Sequence, residues 1–278
     1  MQYRGNIGSQ MLLVAGAFKH FKTISVMILK HKIKNICVYD GVDNLQWNGG
    51  RVNILHSAKF SEIQLKFYNS KNIGVYFTFS NSVIDLKDPA ANEILKKINN
   101  PINGCIIVND NLRKYIRDKF PNLKLIFSCT GFKDSKIDIP MLKDLESKYD
   151  LICPRYEWIF DPKFYTVIDP KKYEIMLNDT CIFKCPKWHQ HFEAINSANR
   201  NPLLTIEQAQ KISECWIKGF DPNIESKSPL KTGMDLNKES LIKSKEIGYC
   251  NFKLSGRELS KEDFLDDLIK YTGLISAV

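Results

Sequence analysis

The chain has no run approaching the roughly 18 consecutive apolar residues that a membrane-spanning helix requires, so the sequence predicts no such helix. It is also poor in arginine. Only seven of its 40 cationic residues are Arg (Arg4, Arg51, Arg113, Arg117, Arg155, Arg200 and Arg257); the rest are Lys. The net charge of +9 is therefore mostly lysine, spread along the polar faces of predicted helices in a chain also crowded with Ile and Asn, as AT-rich coding sequence produces. Specific phosphate or base recognition draws on Arg forks and clustered patches, so this charge does not by itself mark a nucleic-acid-binding protein. Familiar catalytic signatures are missing too. There is no nucleophile elbow G-x-S-x-G and no H-E-x-x-H zinc helix. Gly49-Gly50 is an isolated pair, with neither a G-x-G-x-x-G fingerprint nor a Walker lysine around it. No fixed-period repeat or low-complexity tract is found. Residues 11–18 (MLLVAGAF) are short, lack a basic leader and are followed by Lys19 and Lys22. No signal peptide is expected, and the expected compartment is the cytoplasm.

What is present is an alternation of short β-rich runs with amphipathic helical segments. Seven strands are predicted, at 36–39, 74–79, 105–108, 123–129, 151–153, 173–177 and 252–254. Helices are predicted at 90–98, 112–120, 141–149 and 261–271, the last capped by Ser260. Strands alternating with helices at this spacing imply βαβ units and parallel pairing. The expected fold is an α/β protein, a TIM-like (β/α) barrel that is whole, incomplete or distorted. Residues 1–278 are expected to form a single domain, with an irregular polar loop at about 219–234.

Eight cysteines stand out in a chain without a predicted leader; reduced thiols, metal ligands or redox chemistry come before disulfides. In a parallel barrel the loops after the strands build the active site, while strand starts face the opposite end. By that rule Cys37, Cys105 and Cys250 are packing residues. Cys129, Cys153, Cys181 and Cys185 follow strand ends, and Cys215 lies downstream. Cys181 and Cys185 form a C-x3-C pair which, if it opens a helix, puts both sulfurs on one face about 5–6 Å apart at Cβ. Zinc is one ligand for such a pair, although structural zinc usually shows paired short spacings. Scattered thiolates suit an iron–sulfur cluster better. His189 and His191 are either further ligands or hydrogen-bonding residues on a helix flank.

Polar residues recur at the same strand ends: Asn48 to Arg51, Asn109-Asp110, Ser128, Arg155 with Glu157, Asn178-Asp179, and Ser255 to Arg257. A guanidinium there can take a carboxylate or phosphate bidentately, or it can pair with a neighbouring acid, as Arg155 can with Glu157. The candidate catalytic residues are Arg257, Arg155 and Asp179; the candidate substrate-binding residues are Arg51, Asn178 and Glu157.

These segments resemble a known family. YEIMLNDTCIFKCPKWHQHF, then ECWIKGFDP, then GYCNFKLSGRELSKEDFLDDLIKY look like the collagenase-like peptidase family U thirty-two, whose members end a barrel strand with N-x-x-C and close on an FK-(I/L)-x-GR strand. The early VYDGVDNLQWNGGR is similar to a small-residue and Arg turn that some members carry. The resemblance spans roughly residues 36–271. It implies a [4Fe-4S] cluster held by Cys181, Cys185, Cys215 and a fourth cysteine, Cys129 or else Cys153. Cys250 falls at the wrong strand end, about 16 Å away along a five-residue strand. It also implies oxygen-independent hydroxylation of an RNA base or a small aromatic ring with a small anionic co-substrate, for which Arg257 is the binding cation. The alternatives are a collagenase-like peptidase, with Cys185 as nucleophile and His189 or His191 as base, or a non-catalytic barrel acting as partner subunit in a homo- or heterodimer. The chain is shorter than the peptidase-type members.

Overall fold

The computed structural model describes residues 10–31, 35–179, 181, 184–214 and 235–277. Cys215 and the loop at 219–234 lie outside the described residues.

Eight parallel strands form one sheet: β1 (Met11–Ala15), β2 (Ile36–Asp40), β3 (Val75–Phe79), β4 (Gly104–Ile107), β5 (Lys124–Phe127), β6 (Leu151–Ile152), β7 (Glu174–Met176) and β8 (Asn251–Leu254). Their spatial order, β6-β5-β4-β3-β2-β1-β8-β7, brings the two sheet edges round to face each other. A single parallel bridge, Ile152 to Tyr173, joins them. The fold is a TIM-like (β/α) barrel with one unsealed seam, between β6 and β7.

The strand missing from the sequence reading is β1. Its residues look like a truncated apolar leader, and only pairing with β2 on one side and β8 on the other makes them a central strand.

The alternation of side chains along each strand builds two layers. Inward-facing Leu13, Ala15, Tyr39, Tyr76, Ile106 and Ile126 fill the barrel. Outward-facing Val14, Val38, Phe77, Ile107, Phe127 and Phe252 pack against the helices. The helices are α1 (Phe21–His31), α2 (Asn53–His56), α3 (Glu62–Ser70), α4 (Pro89–Ile98), α5 (Asp110–Lys119), α6 (Ile139–Lys148), α7 (Pro162–Tyr165), α8 (Trp188–Asn199), α9 (Ile206–Ser213), α10 (Lys238–Ile247) and α11 (Lys261–Ala277). Local chemistry sets several of their starts. Asp88 accepts from the Ala90 and Ala91 amides, with Pro89 in the first turn of α4. Asn109 accepts from the Leu112 amide at 3.0 Å to cap α5. Ser260 accepts from the Asp263 amide at 3.0 Å at the start of α11, as its sequence predicts.

Cys105 is fully buried in the outer layer, and Cys37 packs beside the inner one. Both are placed as packing residues, and burial pushes both thiols above their ordinary pKa. Among the described residues, no helix is long and apolar enough to cross a membrane.

Candidate active site

The C-terminal ends of the strands open into a cleft lined by Tyr39, Gly49 to Arg51, Thr78, Ser80, Ser128 to Thr130, Met176, Asp179, Trp188, Phe192, Lys253 and Ser255 to Glu258. Its free volume is about 60 Å³, room for a few waters at roughly 10–15 Å³ each or for a small anionic group. Helix α8 lies against this mouth and is stapled there by asparagines. Asn199 Nδ2 donates to the carbonyls of Asn48 at 3.1 Å and Arg51 at 2.9 Å. Asn81 Nδ2 donates to the Asn196 carbonyl at 2.9 Å. Trp188 and Phe192, on the same helix, supply an apolar wall to the cleft.

Two tight loops make room for the polar groups. Gly50 has φ +77°, and a Cβ on Gly49 would sit 2.4 Å from the Ser80 carbonyl oxygen. Gly49→Ala is therefore expected to push the loops after β2 and β3 apart and to cost about 1–3 kcal/mol, the usual penalty of overpacking. Urea unfolding checks this; a change below about 0.5 kcal/mol, the range of an uninvolved surface change, would show that the loops are not locked together.

Arg257 is 7% exposed. It donates from Nη1 to Thr78 Oγ1 at 3.1 Å and lies over the Tyr39 ring at 6.0 Å. Among the described residues, no carboxylate forms an ion pair with it. The neighbouring Asp40 is spent on the backbone amides of Phe18, Lys19 and Gly41. Burial lowers the Arg257 pKa, with Asp40 opposing the shift. Lys19 donates to the Arg257 carbonyl and is lowered by burial as well. The mouth thus carries a buried guanidinium with no ion-pair partner among the described residues, a charge that a bound anion can complement.

Arg51 is engaged differently. It pairs with Glu258 at 2.8 Å and with Asp179 at 3.9 Å. Burial works against its charge, but Glu258 and Asp179 outweigh it and hold Arg51 protonated above its ordinary range. Glu258 is held down to about 2: burial opposes this, and Arg51 overcomes burial. Arg51, Asp179 and Arg257 all line the cleft. The structure sets the other three sequence candidates apart from it. Arg155 and Glu157 are buried against each other, Nε to Oε1 at 2.5 Å, with the guanidinium 4.5 Å from the Trp188 ring. Asn178 bonds the Ser255 backbone and Asp267, tying β7 to β8. Asn109 caps α5 and donates to the Ser82 carbonyl.

The cysteines gather as the strand-end rule predicts. Cys129, Cys153, Cys181 and Cys185 belong to one apolar cluster with Tyr156, Met176 and Trp188. Cys129 Sγ is 3.9 Å from Met176 Sδ. Cys129 and Cys153, considered in the sequence as rivals for one place, are neighbours in that cluster. Their mutual interaction lowers the Cys129 pKa and, together with burial, raises Cys153 well above the thiol range. Burial, then Asp179, raises Cys181.

Cys181 and Cys185 do not open a helix: α8 begins at Trp188, and Lys184 sits at φ +55°. Pro186 accounts for this, because the residue before a proline is driven out of helical conformation. Helical i,i+4 geometry between Cys185 and His189 is lost for the same reason. His191 Nε2 is 2.6 Å from the Ile212 carbonyl, to which it donates, and is tied up at the end of α9.

Sequence reading missed a buried pair under the cleft. Lys253 Nζ lies 3.2 Å from Glu174 Oε1 and 4.7 Å from the centre of the Tyr39 ring. The signal was available: Phe252 and Leu254 face outward, so the alternate residues Asn251, Lys253 and Ser255 must face the barrel interior.

Among the described residues, no three His, Cys, Asp or Glu side chains stand close enough to share one metal ion. No family model, curated protein or solved structure matches this chain.

Proposed function

We propose that the chain is a barrel enzyme that holds a [4Fe-4S] cluster at the cysteine-lined side of its mouth and hydroxylates an RNA base or a small aromatic substrate, the oxygen atom coming from a small anionic co-substrate that is reduced by two electrons in turn, and not from molecular oxygen. The observation that carries this reading is the gathering of Cys129, Cys153, Cys181 and Cys185, from three different strand ends, into one apolar cluster, with Cys129 lining the same cleft as the buried Arg257, which forms no ion pair among the described residues. The donor set fits such a group. A single ion would need three ligands within its reach, which the described residues do not offer. A four-iron cluster spreads its ligands over separate iron atoms and takes thiolates from scattered chain positions. Cys153 thereby joins Cys129, Cys181 and Cys185 as a candidate ligand; Cys215 lies outside the described residues.

When bound, the cluster supplies one-electron chemistry. The chain's own residues do the rest. Arg257, oriented by Thr78, binds the anionic head of the co-substrate, and Arg51 is held in shape by Glu258. Asp179, on the cleft wall, is the carboxylate placed to take a proton from a bound substrate. Trp188 and Phe192 keep bulk water from the reacting groups.

Anaerobic reconstitution with ferrous iron and sulfide tests the reading. About four irons per chain are expected, with a brown colour that air bleaches. The Cys129→Ser/Cys153→Ser double variant is expected to lose most of that iron while retaining its helical circular dichroism. A colourless, iron-free wild-type protein after anaerobic reconstitution overturns the proposal.

A further inference from the structure

Lys253 and Glu174 are both deep in the barrel wall, with side chains 8% and 0% exposed. Burying such a pair costs the hydration of two ions, and well-packed apolar residues in its place are often as stable or more so. Stability therefore does not explain a charged pair here, and its position suggests another role. Strands β7 and β8 are paired in register, Glu174 with Asn251 and Met176 with Lys253. This sets Lys253 beside Met176, whose sulfur lies 3.9 Å from Cys129 Sγ, and Cys129 shares its apolar cluster with Cys153. Lys253, Met176 and Cys129 line the same cleft.

We infer that Lys253 is the fixed counter-charge for the thiolates of the iron–sulfur site, and that Glu174 holds it in place while tempering its field. This rests on the iron–sulfur reading above. A cluster bound by thiolates is anionic and gains negative charge on reduction, so a buried ammonium nearby makes reduction easier. Glu174 acts in the opposite direction. Lys253 is then a positioning and tuning residue, not a group that touches substrate.

The two halves of the pair make the idea testable, because a charge effect and a structural effect differ in sign. Wild type, Lys253→Met and Glu174→Gln are reconstituted anaerobically, and the midpoint potential is read by a redox titration followed by electron paramagnetic resonance, alongside iron per chain and Tm. The expected result is a lower potential for Lys253→Met and a higher one for Glu174→Gln, although both lower Tm. Lys253→Arg keeps the charge and is expected to stay near the wild-type potential. Should either single variant fail to fold, the Lys253→Met/Glu174→Met variant removes the pair without leaving a lone charge, and its potential is expected below that of wild type. Potentials that stay put, or move the same way in both single variants while iron is retained, overturn the inference alone. Wild-type protein that takes up no iron overturns the iron–sulfur reading itself, and this inference with it.

Discussion

Replacing Arg155 by methionine is expected to lower the unfolding free energy by about 3–5 kcal/mol, as for one partner removed from a buried ion pair. Arg155 and Glu157 side chains are 1% and 2% exposed, so neither can turn to water. Without the guanidinium, Glu157 is left as a buried carboxylate, and its Oε2 already lacks a hydrogen-bond partner. The substitution also removes the cation stacked 4.5 Å from the Trp188 ring, and Trp188 is a wall of the cleft. The pair carries the argument, so the double variant Arg155→Met/Glu157→Met should recover much of the loss. Urea unfolding of wild type, both single variants and the double variant forms a complete cycle. If the two single costs simply add in the double variant, the residues are not coupled and the explanation is wrong.

Acid should weaken the fold through two buried histidines. Burial, and then the nearby Lys19 charge, depress the His20 pKa to about 4. The ring stacks on Phe264 with centroids 4.2 Å apart, and its Nε2 has no hydrogen-bond partner. In the unfolded chain this imidazole takes up its proton near pH 6.5. Between pH 6.5 and about 4 the unfolded state therefore binds the extra proton, and stability falls as pH falls. The contribution is present above the unfolded pKa and is lost as pH drops toward the folded one. A gap of this size corresponds to about 3 kcal/mol. His56 is depressed to about 4 as well, by burial and then by Arg51, so the two act in the same window. Urea midpoints measured from pH 7.5 down to 4 should decline steadily. The decline should be shallower in His20→Phe by about the contribution of one group. A variant whose acid limb overlays that of wild type would remove His20 from the account.

Much of the barrel was legible because its signals are local. Seven of the eight strands show themselves as short apolar runs ended by turn residues, and Pro89, Asp88 and Asn109 mark helix starts by chemistry that acts within three residues. Strand β1 was not legible, since an apolar run near one end of a chain looks the same whether or not it has neighbours. Its status comes from hydrogen bonds to strands β2 and β8, the latter some 240 residues further along. The C-x3-C pair was open for a related reason: its spacing puts both sulfurs on one face only if a helix starts there, and α8 starts only at Trp188.

The site divides in the same way. The amino-acid sequence by itself determined that the chain is a parallel α/β barrel and that Cys129, Cys153, Cys181 and Cys185 follow the C-terminal ends of its strands, because strand direction assigns residues to one end or the other. It also singled out Arg51, Asp179 and Arg257, all of which line the cleft. Only the tertiary structure decided which of these charges are already neutralised. Arg155 turns inward onto Glu157, Arg51 onto Glu258, and Arg257 onto no carboxylate among the described residues. It alone also made neighbours of Cys129 and Cys153 and set Lys253 against Glu174 beneath them. The physical reason is that pairing energies fall off within a few ångströms, and residues far apart in the chain come that close only once the strands have closed into a barrel.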